Sequence, residues 1–356
     1  MRCPALSEVP PPPPGKMGWP WTEESQQLPD RMPGPSTALR ASGEPWPKVS
    51  IVTPSYNQGQ FIEETIRSVL LQGYPNLEYI IIDGGSTDGS VDVIRKYEPW
   101  LAYWVSEPDE GQADAINKGF ARARGEIMAW LNSDDTYLPT AIQSQVAALR
   151  SRKDCGFVYG DVLYVDEDGE LIYKGYGRPY SVLDLLRLSI PAQPTTFMRR
   201  DMYEEIGPLN ARFHYSMDSE YWARAAKVTD FLYNPKSIAT YRLHGASKTV
   251  GQHAGFHEDW IAIARSFFSD ANGPRVSEEQ QSQILADIHN RIAAMEAARG
   301  TPSEAWRHLL EARRIGGLRV RMVKTLPILL DRFLHLNMTP KLTQLWTHLR
   351  SKSSRS

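Results

Sequence analysis

The chain has 356 residues, 41% hydrophobic and 23% charged, with a formal net charge of −2. That length and balance describe one large globular domain with an appendage and a sizeable core, and they exclude a fibrous or wholly disordered chain. No global charge points to nucleic acid.

Residues 1–47 hold 12 of the 26 prolines and show no helical or strand period, so a disordered proline-rich tail is expected there. Order should begin at Lys48. Val49–Val52 is β-rich and should stop at Pro54, and a helix follows over Phe61–Leu70, closed by Gly73 and Pro75. Tyr79–Ile82 is apolar without alternation, the mark of a strand covered on both faces. Helices are expected at 91–97 and 113–123, strands at 102–105 and 127–131, and a helix at 139–149 with Pro139 near its start. This alternation predicts an α/β fold, a mostly parallel Rossmann-like sheet with flanking helices. Further on, 157–159 reads as a strand and 162–165 with 171–173 as a hairpin. A helix at 216–227 and a strand at 238–241 follow. Residues 48–250 would form the catalytic domain and 251–356 a helical extension, with a helix pair at 284–299 and 302–314.

Cys3 and Cys155 make neither a disulfide framework nor a Cys/His zinc cluster, which fits a reducing compartment. No stretch reaches the roughly 18 apolar residues of a membrane span, and the first residues lack a signal peptide's apolar run. A cytoplasmic protein is expected. From Thr301 to Ser356 there are 11 Lys/Arg against 3 Asp/Glu, interleaved with apolar residues from Trp306 to Leu336. Such a segment suits either an anionic membrane surface, giving a peripheral protein, or packing on the catalytic domain.

In a doubly wound sheet, ligands bind at the carboxyl ends of the strands. Here three such ends carry Thr53–Asn57, Asp83–Gly89 and Asn132–Asp135, which together supply a ring, glycines and acids. Hard divalent cations are held by carboxylate oxygens alongside substrate phosphates, so a nucleotide diphosphate with Mn²⁺ or Mg²⁺ is the expected ligand. The plainer alternative for Asp134-Asp135 is a helix cap or turn. For the glycine-rich stretch it is a turn with Asp88 or Ser90 capping the next helix. Asp83 would stay free for a base or ribose.

Five stretches in order carry a resemblance to the family-2 glycosyltransferases of the GT-A fold, over roughly Lys48 to Val250. They are Val49–Asn57, Ile82–Gly89, Asn117-Lys-Gly119, Gly125–Asp135 and Met217-Asp218. The resemblance implies an inverting, metal-dependent hexosyl transfer from a nucleotide-diphosphate sugar to a hydroxyl of a glycan or lipid-linked acceptor, in cell-surface polysaccharide or glycolipid synthesis. It implies that Pro54 and Tyr56 line the nucleoside site and that Asp83 contacts the nucleoside. Asp134 would face ribose or sugar, Asp135 and His244 would approach the metal, and Asp218 would be the general base. Glu220 or Asp161 are the alternatives to Asp218. Asn57, Gln112, Asn117 and Lys118 are further donor-site candidates, and Asp114 a weaker one on the same helix as Gln112. Gly84 stands where many members carry a second acid, and Met217 where an acid often precedes the base. Two other functions compete. A nucleotidyltransferase would want a basic, glycine-rich loop after the first strand, and Ser55–Gly59 has no basic residue. A catalytically inactive scaffold would not need Asp83, Asp134, Asp135 and Asp218 together.

Overall fold

The computed structural model describes residues 1–32, 43–187, 190–245, 247, 254–270 and 276–316. The chain divides into two units, Met1–Val182 with Ile190–Phe256, and Leu183–Ser189 with His257–Ser356.

The first unit is built on one nine-stranded sheet. Its strands are β1 (Val49–Ser55), β2 (Leu77–Asp83), β3 (Tyr103–Ser106), β4 (Ile127–Trp130), β5 (Thr136–Tyr137), β6 (Cys155–Val165), β7 (Leu171–Gly175), β8 (Phe197–Arg199) and β9 (Asp230–Arg242). Their order is β3-β2-β1-β4-β8-β6-β9-β5, with β7 paired to β6 as a hairpin. The first four are mutually parallel, β8 enters antiparallel, and β6 runs parallel to β9. The expected mostly parallel sheet is realised in one half and extended by a mixed half in which β8, β7 and β5 pair antiparallel. Pro54 does not end β1, because β4 pairs with β1 only as far as Val52, and beyond that point a missing N–H costs no ladder bond.

The helices of this unit are α1 (Ile62–Leu70), α2 (Ser90–Lys96), α3 (Gln112–Arg122), α4 (Ala141–Ser151), the start of α5 (Val182–Leu186), α6 (Arg200–Ile206) and α7 (Met217–Ala225). Alternate residues of β1 feed two cores. Val49 and Ile51 pack with Ile66 and Val69 of α1 and with Ile142 and Val146 of α4. Val52 packs with Ile116 and Phe120 of α3 and with Tyr221 and Trp222 of α7. At Gly119 a β-carbon would stand 2.3 Å from a Val52 methyl, so only glycine lets α3 lie this close to β1.

The proline-rich start is not a disordered tail within residues 1–32 and 43–47. Cys3, Val9, Trp21 and Trp46 are buried in the first unit. The wholly buried Arg67 of α1 donates to the carbonyls of Pro10 (2.7 Å), Pro20 (3.0 Å) and Trp21 (2.8 Å) and to the Tyr97 hydroxyl (3.1 Å). Pro10 lies in irregular backbone, and Pro20 and Trp21 in the turn that Trp21 and Thr22 close onto the Gly18 carbonyl, so all three carbonyls lie outside helix and sheet ladders and can solvate a buried guanidinium. The strap crosses the turn after α1 so closely that a β-carbon on Gly73 would stand 2.3 Å from the Gln26 carbonyl oxygen, and Gly73 itself has φ +65°. A lack of hydrophobic periodicity concealed this packing.

The second unit contains the rest of α5, α8 (Ala254–Ser269) from His257, α9 (Glu278–Arg299) and α10 (Pro302–Gly316). Ser277 and Gln280 close a capping box at the start of α9, and Gly300 ends it in the left-handed region. Small residues, Ala293, Ala297 and Ala305, meet Leu309 where α9 and α10 cross. The boundary falls after Phe256 rather than Val250, and Leu183–Ser189 joins this unit, with Arg187 ion-paired to Asp287 at 2.9 Å. No helix of the described residues is long and apolar enough to cross a membrane. Most of the basic segment lies beyond Gly316, outside the described residues.

Candidate active site

The carboxyl ends of β1, β2 and β4 form the site, and the first two are knitted together by short polar bonds. Asn57, at φ +52°, donates its backbone N–H to Ser86 Oγ (2.8 Å) and accepts from Thr87 N–H (2.9 Å). Asp83 is fully buried and accepts from Gly85 N–H (3.1 Å), Ser86 N–H (2.8 Å), Ser86 Oγ (2.6 Å) and Ser106 Oγ (2.7 Å). The chain's own donors thus occupy both of its oxygens. Asp83 shapes the loop and is not free for a ligand. Asp88 does cap α2, accepting from Ser90 N–H (3.1 Å) and Oγ (2.6 Å), and it also takes Gly59 N–H (2.7 Å). Burial alone would raise its pKa, but these donors outweigh that and hold it below the ordinary value.

What this framework leaves for a ligand is specific. Pro54 is buried, while Tyr56 is 62% exposed, its ring outside the packed loops. Ser55 Oγ and Gln58 Oε1 are buried without a protein hydrogen-bond partner; unlike the unpartnered Trp130, Tyr137 and Trp222 atoms of the core, they lie at the carboxyl end of β1.

The two adjacent aspartates point to different tasks. Asp135 is 1% exposed; its Oδ1 accepts the Arg242 backbone N–H (2.9 Å) and its Oδ2 lies 3.4 Å from Asn132 Nδ2. Burial, and then the charge of Asp134, hold its pKa well above the usual carboxylate range. Asp135 therefore braces β9 and is turned away from the expected metal role. Asp134 is the half-buried one, and its Oδ2 stands 3.1 Å from Nε2 of His244. His244 is 6% exposed and packs on the Phe61 ring at 4.7 Å.

Arg242, which sequence reasoning missed, holds this arrangement. It is 2% exposed, pairs with Glu64 at 2.9 Å, and donates to the carbonyls of Asp134 (3.0 Å), Asp166 (3.1 Å) and Glu167 (3.1 Å). One guanidinium ties α1, the Asp134 loop and the β6–β7 turn together. The only sequence signal was a lone arginine two residues before a histidine.

The α3 candidates separate. Gln112 donates to Asn132 Oδ1 (2.6 Å), and Asn132 Nδ2 donates to Gln193 Oε1 (3.1 Å), so Gln112 does reach the strand end of Asn132 and Asp134. Gln193 went unremarked in the sequence because it lies on a short irregular turn. Asn117 exchanges both bonds with the Leu209 peptide at 2.9 Å each, which makes it a packing clamp and removes it from the donor site. Lys118 pairs with Asp114 (3.0 Å) and Glu107 (3.7 Å), so the chain already neutralises its charge. Beside Gly84 stands the carboxylate of Asp109. A β-carbon at Gly84 would lie 2.7 Å from its Oδ2, so an acid from a distant loop fills the space that glycine leaves.

Asp218 lies in the first turn of α7, half-buried, with its Oδ1 accepting from Ser219 N–H (2.7 Å). Arg224 does not pair with it. Glu220 takes both Arg224 bonds (2.7 and 2.9 Å), while Arg224 also donates to the carbonyls of Ile206 and Pro208. Asp161 is held by Lys174 (3.0 Å), the Tyr233 hydroxyl (2.6 Å) and Gly177 N–H (2.9 Å). Glu220 and Asp161 are thus each held by several of the chain's own groups.

Comparison with known proteins agrees with this architecture. The family description "Glycosyl transferase family 2" matches residues 50–207. A putative teichuronic acid biosynthesis glycosyltransferase, TuaG of Bacillus subtilis, is 31% identical over 221 residues, covering 60% of this chain and 86% of TuaG. A glycosyltransferase of Rickettsia felis is 29% identical over 254 residues, or 67% of this chain. This chain spans only 41% of that relative's length. Among solved structures, residues 1–349 of S. aureus TarS in complex with UDP-GlcNAc superpose with a TM-score of 0.56 at 17% identity, covering 74% of this chain and 79% of that one. A mannosyltransferase of Pyrobaculum calidifontis in complex with GDP-Man and Mn²⁺ gives a TM-score of 0.51 at 19% identity, covering 81% and 86%. These likenesses favour a glycosyltransferase fold over the nucleotidyltransferase alternative. With its GT-A sheet and flanking helices, the chain belongs to glycosyltransferase family 2.

Proposed function

We propose that this glycosyltransferase moves a sugar from a nucleotide-diphosphate donor to a hydroxyl of a cell-surface glycan, with inversion and with Mn²⁺ or Mg²⁺. The observation that carries the reading is the Asp134–His244 pair, 3.1 Å apart at a strand end. Two neighbouring ligands on an octahedral cation with bonds of about 2.1 Å stand about 3 Å apart, so this pair fits such an ion. Among the described residues no three acid, histidine or cysteine side chains converge on one point. That suits a cation completed by substrate phosphates. When bound, the cation would neutralise charge on the donor's diphosphate.

The chain's own residues supply the rest. Ser55 and Gln58 hold unpartnered polar atoms toward the donor, and Tyr56 offers it a ring face. Asp218 takes the acceptor proton as the acceptor oxygen bonds to the anomeric carbon and the bond to the diphosphate breaks. That single displacement inverts the anomeric centre. The named partners of TuaG and TarS, teichuronic acid and UDP-GlcNAc, favour an envelope polysaccharide as the product class. A cytoplasmic or membrane-peripheral site, with a glycan or lipid-linked acceptor, is part of the same proposal.

The test incubates the purified chain with UDP-GlcNAc, UDP-Glc, GDP-Man and dTDP-Glc in Mn²⁺, and follows release of nucleoside diphosphate. Release from one donor that stops in EDTA is expected, with inverted anomeric geometry in the product. Release unaffected by EDTA would overturn the metal's part.

A further inference from the structure

We propose that the tyrosine row headed by the exposed Tyr173 of the β6–β7 hairpin is the binding platform for a neutral oligosaccharide acceptor. This rests on the transfer reaction above and adds to it the place where the acceptor chain lies.

Four large apolar side chains within six residues stand in solvent, Leu171 (61% exposed), Ile172 (51%), Tyr173 (50%) and Tyr176 (74%). Strand alternation puts Tyr173 with Tyr164 on one face and Tyr176 with Lys174 on the other, so both faces of this hairpin carry an exposed ring, and such a concentration marks a contact surface. These rings are also held in place. Tyr173 of β7 lies directly across from Tyr164 of β6, which lies across from Tyr241 of β9. The ring centroids are 4.4 and 5.4 Å apart, so Tyr173 caps a three-strand row backed by two half-buried rings. On Tyr176, the Lys174 ammonium sits 4.7 Å from the ring centroid. Ordered rings lose little freedom on binding, which favours a ligand that meets them with flat C–H faces, as pyranoses do.

The hairpin turn is tied to the candidate active site. The Arg242 guanidinium bonds the turn carbonyls of Asp166 and Glu167 and also the Asp134 carbonyl, while its neighbour Tyr241 points to the other face of β9. A chain lying along β7 would span about 17 Å over five residues, room for several sugar rings. Charge argues against a membrane as the occupant. The turn carries Asp166, Glu167, Asp168 and Glu170, all unfavourable beside an anionic bilayer or an acidic glycan.

The experiment uses the full chain without donor and cello-, chito- and malto-oligosaccharides of one to six units. Binding is read by saturation-transfer NMR and calorimetry. At least one series should bind with affinity rising with length. Tyr173→Ala should abolish that binding, Tyr173→Phe should retain it, and Val228→Ser, at the far end of the β6–β9 ladder, should not change it. Donor binding and donor hydrolysis should be equal in all of these proteins. The platform is refuted if no series binds, if Tyr173→Ala binds as the parent does, or if the hairpin instead carries the chain onto phosphatidylcholine–phosphatidylglycerol vesicles. A parent protein that binds oligosaccharide yet never turns over a nucleotide sugar would leave the platform standing and count against the transfer reaction.

Discussion

Mild acid should loosen the helical unit at one identifiable place. His308 is 4% exposed, and the Arg307 guanidinium donates to its Nε2 at 3.0 Å. Arginine has donors only, so that nitrogen is bare and the neutral ring's proton sits on Nδ1. From there it is donated to Nδ1 of His289, 2.9 Å away. One more proton on either ring would set N–H against N–H or against the guanidinium. Burial, then the charges of Arg307, His289 and His257, lower the His308 pKa to about 4 from an ordinary 6.5, with Glu304 opposing. Burial also lowers His289, against Glu311 and with Arg265, Arg307 and Arg314, and it lowers His257 despite Glu296 and Glu304. The unfolded chain protonates near 6.5 and the folded one does not until about 4. His308 therefore stabilises the fold fully above pH 6.5, and that contribution is lost as the pH falls toward 4. The whole gap corresponds to about 3 kcal/mol, of which about 2 should be gone by pH 5, before most carboxylates titrate. Histidine ring NMR of the full chain, with thermal unfolding between pH 7.5 and 5, measures both quantities. A His308 resonance titrating near 6.5, or an unfolding midpoint that stays flat over this window, would refute the tautomer chain. His308→Leu should remove most of the slope.

Asp134→Ala and His244→Ala should each abolish calorimetric Mn²⁺ binding in the presence of nucleoside diphosphate, while Asp135→Asn should lower the unfolding midpoint and spare the metal; the opposite pattern would return the metal to Asp135. Asp218→Asn should reduce transfer by about 10²–10⁴-fold with donor affinity within a few-fold, as expected of a general base. A near-parental rate would rule it out. Arg67→Met leaves several buried carbonyls without a donor and should destabilise the first unit by at least about 3 kcal/mol in urea unfolding. A loss below about 1 kcal/mol would mean that the strap contributes little.

The parallel half of the sheet was legible because β1, β2 and β4 are apolar runs set between turns, and their loops carry the residues that chemistry needs. β5 and β8, at two and three residues, are too short to show a period. Motif position alone could not say which way a side chain turns. Asp134 and Asp135 are neighbours in sequence, yet one meets His244 and the other is sealed under Arg242. Asn117 looked like a donor-site residue because it lies next to Gly119, but both are explained by packing of α3 against Leu209 and Val52. Arg242 and Gln193 were invisible because their importance comes from carbonyls and amides brought together only by the fold.

Family likeness begins at residue 50, but the folding unit does not. Arg67 lies inside the shared region, and three of its four hydrogen-bond partners lie upstream of it, in Pro10, Pro20 and Trp21. Trp19 likewise reaches across to the Tyr137 carbonyl at 2.8 Å. A fragment that began at residue 50 would thus retain every residue of the candidate site and still carry a cation left with only the Tyr97 hydroxyl in an opened hollow. Inherited sequence and physical self-sufficiency have different borders in this chain. Relatives that lack the strap must neutralise or replace position 67 by other means, so that position and the upstream prolines should change together among them.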